Sequence, residues 1–205
     1  GLASQQWAPW AQRVQTIAQL VKEVDANSDH TSVYMPALNV PADQLVDAAH
    51  QAKAWGAGAL LVLPGLTGLD SMRLLSEDPE LNLPIMSHPS FLGSMVVNPN
   101  QGIDHGIVFG ILMRLAGADI SIFPNYGGRF SFTQSECEAI ARGCAAPLSN
   151  LRTSFPSPGG GMTLDRVPEM IKVYGNNVTL LIGGALHRGD LFTNARDLVE
   201  AVAPS

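Results

Sequence analysis

One repeated unit constrains this 205-residue chain more than any other feature: an apolar run of strand length followed by an amphipathic helical stretch. The runs are "SVYMPALNV" (32–40), "ALLVLPGL" (59–66), "LPIMSH" (83–88), "DISIFPN" (119–125), "LRTSFPS" (151–157) and "VTLLIGG" (178–184). Helical spacing follows each, over 41–55, around Leu69–Leu75, and over 106–117, 134–145, 164–175 and 194–203. A further helix precedes them all, over 9–25, with Val14, Ile17, Leu20, Val21 and Val24 on one face. Strands that are apolar throughout and alternate with helices predict a parallel sheet covered on both faces, hence an α/β fold.

Two architectures satisfy this order, an open doubly wound sheet and a (β/α)8 barrel. Six strand–helix units led by an orphan helix match a barrel entered just after its second strand. The expectation is therefore an incomplete (β/α)8 TIM-type barrel, corresponding to strands 3 to 8, formed by residues 1–205.

Composition narrows the setting. Hydrophobic residues make up 46% and charged residues 15%, which suits a buried central sheet or surface hidden in an oligomer. A net charge of −6 with no Lys/Arg run argues against nucleic acid or an anionic membrane as partner. No stretch approaches the length of apolar sequence that spans a bilayer, and "GLASQQWAPWAQRV" lacks the features of a secretory leader. Cys137 and Cys144 share one predicted helix at neither disulfide nor zinc spacing, so both read as reduced thiols of a cytoplasmic protein.

In either architecture ligands bind at the carboxyl ends of the strands. That rule selects His88 after the third run, Asn125 to Arg129 after the fourth, Gly159, Gly160 and Gly161 after the fifth, and Gly183 and Gly184 after the sixth. Glycine at a strand-to-helix junction lets backbone N–H groups approach an anion, and the loops after strands seven and eight are the usual phosphate site of a barrel. Tight turns alone would also account for the glycines. His88 reads either as an acid/base or substrate ligand, or as a hydrogen-bonded residue at a strand end. Arg129 reads as a cation closing over an anion or as a surface arginine. His187 is either a lining residue or part of a solvent turn, and Asp104 with His105 reads first as a helix start. His30 and His50 carry no functional assignment. No strand end holds the clustered carboxylates of a magnesium site, and Asp119 begins its strand, at the wrong end for one.

The segments "MSHPSFLGS", "DHGIVFGILMRLAGAD", "IFPNYGGRFSF", "GGGMTLDRVPEMIKVYG" and "LLIGGALHRGD" resemble, in order and spacing, the ribulose-bisphosphate carboxylase large-chain superfamily, and within it the RuBisCO-like (form IV) proteins. The resemblance covers nearly the whole chain. It implies the carboxyl-terminal part of a barrel domain, without the amino-terminal domain and the first two strands. It also implies a Mg²⁺ site made by a carbamylated lysine and two acidic residues upstream of this chain, and a homodimer in which the partner's amino-terminal domain completes the site. His88, the loop from Asn125 to Arg129 and the two glycine loops are what the family's site leaves here, as catalytic and phosphate-binding residues respectively.

The departures from the family pattern matter equally. Carboxylases place an arginine after the strand-5 histidine, a lysine in loop 6, a histidine in the loop-6 strand and a serine before the strand-7 glycines. Here those positions hold Pro89, Arg129, Ile122 and Gly159, with Ser157 two residues before the last. An arginine, permanently charged, does not replace a lysine amine in such a role. The resemblance thus implies metal-assisted enolisation or isomerisation of a phosphorylated ketose-type sugar rather than CO₂ fixation, with little activity from residues 1–205 alone. A non-catalytic sugar-phosphate binder and a carboxylase- or decarboxylase-type homologue are the alternatives.

Overall fold

The computed structural model describes residues 5–29, 31–98, 100–128, 130 and 132–202. His30 and Arg129 fall outside these residues. The chain forms two compact units, Gly1–Gly93 with Leu115–Asp119, and Ser94–Arg114 with Ile120–Ser205.

Unit one opens with α1 (Trp10–Asp25), which buries Val14 and Ala18 and leaves Leu20 and Val24 exposed. The expected first strand forms only one parallel bridge, Ala37 to Leu61, with Leu38 N–H donating to Leu61 O at 2.8 Å. Proline at 36 and 41 explains the brevity, since neither residue has an N–H to give to a ladder. A 3₁₀ turn (Ala42–Gln44) leads into α2 (Leu45–Ala54). Then follow β1 (Leu60–Val62), the short α3 (Pro64–Thr67), α4 (Leu69–Glu77) and β2 (Ile85–Ser87). β1 and β2 pair in parallel, Leu60 opposite Ile85 and Val62 opposite Ser87. Leu60 of β1 and Ile85 of β2 are fully buried, as are Leu38, Leu45, Met72 and Leu75 of the same unit. Each such side chain contributes roughly 1.5–3 kcal/mol through its removal from water. Asp119 closes the lower end of this unit, its carboxylate accepting from Ile85 N–H at 2.8 Å.

Unit two begins with a 3₁₀ turn (Leu92–Met95) that overlaps its boundary, and continues into the helix expected at 106–117. Most of that helix, Gly106–Leu112, is wound as a π-helix, ending in α5 (Met113–Leu115). β3 (Ile120–Pro124), α6 (Gln134–Ala145), β4 (Phe155–Gly159), a 3₁₀ turn (Leu164–Arg166), α7 (Val167–Tyr174) and α8 (Leu191–Val202) complete it. β3 and β4 pair in parallel from Ile120–Phe155 to Pro124–Gly159. α6 starts with a capping box, Thr133 and Glu136 each satisfying the other's backbone N–H. It packs on the π-helix through glycines: a Cβ on Gly110 would lie 2.8 Å from Gly143 Cα. Arg114 is buried, its guanidinium donating to the carbonyls of Ala146, Leu151 and Arg152, and so fixes the connection from α6 to β4.

The sixth apolar run, 178–184, is not a regular strand, and its last residue, Gly184, already belongs to a turn. Thr179 and Leu181 donate to the carbonyls of Pro156 and Pro158, at 3.0 and 3.4 Å. A strand residue directs its N–H and C=O to the same side, so Pro156 and Pro158 accept on that edge and donate nothing back. The ladder is one-directional for that reason. Among the described residues no helix is long and apolar enough to cross a membrane.

Candidate functional site

In unit one, His88 continues the β1–β2 ladder by one residue, its N–H donating to Val62 O at 2.8 Å. Its half-buried ring receives two hydrogen bonds on Nδ1, from Ser90 N–H at 3.2 Å and from the Ser90 hydroxyl at 2.7 Å. A backbone N–H can only donate, so Nδ1 carries the lone pair and the neutral ring holds its proton on Nε2. Burial lowers the pKa of His88 below the ordinary histidine value, which favours this neutral form. The site therefore offers a fixed N–H donor.

In unit two, β4 and the sixth run beside it advance in the same direction, so their glycine exits leave at the same end. Gly160 and Gly161 have φ of +86° and +88°, a region that side-chain-bearing residues rarely adopt. Gly159 closes β4 against Leu181, whose Cδ2 would stand 2.7 Å from an added Cβ. Gly183 and Gly184 differ. Neither has a positive φ, and an added Cβ would meet nothing within 4 Å at either. Internal packing thus gives no reason for glycine at those two exposed positions. Their loop is held from α8, where the Asn194 amide donates to Leu186 O and Arg188 O.

Asn125 follows β3, its N–H bonded to Gly159 O at 2.8 Å. The side chain is fully buried: Oδ1 accepts from the Tyr174 hydroxyl, and Nδ2 points at the sulfurs of Met162 and Met170 at 3.1 and 3.0 Å. Both side-chain polar atoms of Asn125 are thereby engaged inside the unit, which makes it a support for the loop rather than an exposed group. Ser157, opposite Ile122 in the ladder, is fully buried with its Oγ unpartnered among the described residues. Asp104 behaves as a helix start, Oδ1 accepting from Gly106 and Ile107 N–H. Both it and the buried His105 line a separate cleft of about 420 Å³ with Glu136, away from the nominated glycines. His187 is exposed.

One cluster escaped the sequence. The Tyr126 hydroxyl donates to Glu169 Oε1 at 2.7 Å, and Arg166 donates to Tyr126 O at 3.0 Å and to Glu169 Oε2 at 3.1 Å. The guanidinium lies 5.2 Å from the centroid of the Tyr126 ring. Partial burial, reinforced by the Glu169 carboxylate, pushes the Tyr126 phenol up to about 12. The hydrogen bond from Arg166 holds Glu169 below the usual carboxylate range.

No family model matches the chain. Over 187 residues it is 37% identical to the 5-methylthioribulose-1-phosphate isomerase of Rhodospirillum rubrum, covering 91% of this chain and 48% of that protein. Over 180 residues it is 34% identical to the 2,3-diketo-5-methylthiopentyl-1-phosphate enolase of Bacillus pumilus, covering 88% and 44%. The crystal structure of a RuBisCO-like protein from Rhodopseudomonas palustris superposes with a TM-score of 0.87 at 32% identity, covering 98% of this chain and 53% of that one. The chain spans about half the length of the curated relatives it matches. The incomplete barrel-type α/β fold read from the sequence is the fold of this solved relative over the stretch it shares. These likenesses cover most of this chain, and the chain belongs to the ribulose-bisphosphate carboxylase large-chain superfamily, in its RuBisCO-like (form IV) branch.

Proposed function

We propose that residues 1–205 are the phosphate-binding part of an enzyme that enolises or isomerises a phosphorylated ketose-type sugar. The observation that carries this reading is Gly183–Gly184: an open glycine pair without steric or conformational cause, beside the left-handed Gly160–Gly161 loop. Backbone N–H groups of the two loops, Gly159–Gly161 and Gly183–Gly184, would receive the phosphate, since no Cβ stands in its way. The names of the relatives, an isomerase and an enolase of methylthio-sugar phosphates, support a monophosphate substrate.

In unit one, the Nε2–H of His88, which the resemblance implies is catalytic, would donate to an oxygen on which negative charge grows as the proton beside a carbonyl leaves. With Nδ1 already accepting two hydrogen bonds, this histidine stabilises the enolate oxygen instead of removing the carbon-bound proton. Arg129 would close over the anion, and Asn125 would hold the base of its loop. Among the described residues no three His, Cys, Asp or Glu side chains form a group that could hold a metal ion. The Mg²⁺ that the resemblance implies does not fit the residues present, and no step here passes through it. A homodimer and a cytoplasmic setting belong to the same proposal.

The test uses the full-length protein, supplied with Mg²⁺ and CO₂, and 5-methylthioribulose 1-phosphate or 2,3-diketo-5-methylthiopentyl 1-phosphate in D₂O. Proton–deuterium exchange next to the carbonyl, or turnover, is expected for one of them. Neither exchange nor turnover with either compound overturns the enzyme reading.

A further inference from the structure

We infer that Arg166 is a positioning residue that seats the loop leaving β3 on the Gly160 backbone, and so sets the shape of the phosphate-binding loop. This rests on the reading given under Proposed function. Tyr126, Arg166 and Glu169 form a closed cycle in which each member touches both others. Arg166 holds the main chain of Tyr126 by a hydrogen bond to its carbonyl and the ring by a cation–π contact; Glu169 holds the Tyr126 hydroxyl and the Arg166 guanidinium together. The consequence appears two residues on. A Cβ at Gly128 would stand 2.2 Å from Gly160 O, so the loop's main chain lies directly on the glycine loop after β4. The Arg166 guanidinium also lies beside Gly127, its Nη2 3.4 Å from where a Cβ would be, an ordinary contact distance. Arg166 and Glu169, both from the segment that follows the glycine loop, therefore anchor Tyr126, while Gly128 rests on the glycine loop itself.

Arginine suits this task and lysine does not. The planar fork bonds the Tyr126 carbonyl and the Glu169 carboxylate in two directions while its face covers the ring, whereas an ammonium is a single point of charge. The cluster is also poor as a stabiliser of the whole fold, because Glu169 is almost half exposed and such ion pairs are screened. Its effect is local, on where the loop rests.

Two measurements on the full-length protein decide the matter. The first is amide hydrogen exchange in wild type, Arg166→Met and Arg166→Lys. Exchange at Tyr126–Gly128 and Gly160–Met162 is expected to quicken in Arg166→Met by on the order of tenfold, with α6 unchanged, and to recover only in part in Arg166→Lys. Unaltered exchange overturns the inference, and so does acceleration spread over the whole of unit two, which would mark a general loss of folding. The second is inorganic phosphate binding by titration calorimetry, expected to weaken by on the order of tenfold in Arg166→Met. Full recovery by Arg166→Lys would mean that the charge contacts phosphate directly, which also overturns a positioning role. Binding by the wild type that Arg166→Met leaves intact sinks the positioning role alone. No phosphate binding by the wild type sinks the functional reading, and the role in shaping a phosphate loop with it.

Discussion

The Tyr174 hydroxyl donates a 2.6 Å hydrogen bond to Asn125 Oδ1, so the residue that follows β3 is tied to the last residue of α7 within the interior of unit two. Burial raises the Tyr174 phenol pKa and keeps this donor protonated across the working range. Removing the hydroxyl leaves a buried amide oxygen without its donor. Tyr174→Phe keeps the edge contact with Phe123, whose centroid lies 5.9 Å away, and should lose about 1–3 kcal/mol in urea unfolding. Unchanged stability would show that the pair contributes nothing.

A second prediction concerns the glycines between the π-helix and α6. An added Cβ at Gly143 would meet Gly106 O at 2.5 Å, and backbone cannot move aside as a side chain can. Gly143→Ala should therefore destabilise by about 1–3 kcal/mol despite alanine's better helix propensity. An increase in melting temperature would mean that the two helices do not lie so close.

The alternation of strands and helices was legible because the runs that become β1, β2, β3 and β4 are mostly buried and each helix carries its own period. Where reading failed, it failed for definite reasons. Pro156 and Pro158 look like residues of an irregular strand, yet they also disable the edge that the next run needs. The π-helix at Gly106–Leu112 could not be distinguished from an α-helix, since seven residues do not separate the two periods. His88 was nominated by position alone, and the structure adds that its Nδ1 accepts from Ser90. Asn125 was placed correctly at a strand end, but its partners Met162, Met170 and Tyr174 lie far along the chain and give no local sign. The same distance hid the Tyr126–Arg166–Glu169 cycle, whose members read singly as surface residues.

Both thiols should be inert in the native state. Cys137 and Cys144 are fully buried, and burial raises both pKa values, so little thiolate is present near neutrality. A disulfide-exchange reagent should label neither until denaturant is added, and labelling should then track unfolding. Rapid reaction of either cysteine in native buffer would contradict this packing.

The pH response of His88 has a definite sign. Its folded pKa lies below the unfolded value of 6.5, so the unfolded chain binds the proton more readily. The contribution of the neutral ring is fully present above 6.5 and is lost as pH falls through that value toward the folded pKa. The ring signal of His88, assigned by its loss in His88→Gln, should titrate below 6.5 in nuclear magnetic resonance spectra. On acidification wild type should lose stability relative to His88→Gln. A midpoint at or above 6.5 would mean that the Ser90 contacts and burial do not hold the neutral form.

Gly183 and Gly184 allow stability and function to be separated. At most buried glycines a substitution disturbs folding, and a lost activity then has two explanations. Here an added methyl meets nothing within 4 Å and no positive φ is required, so Gly183→Ala and Gly184→Ala should unfold within about 0.5 kcal/mol of wild type. If backbone N–H groups of this loop receive the phosphate, the same methyl occupies the approach path. Affinity for inorganic phosphate should then fall by roughly tenfold, a difference of about 1.4 kcal/mol. Binding that survives both substitutions unchanged would remove the observation on which the phosphate site rests, and leave these two glycines as turn residues.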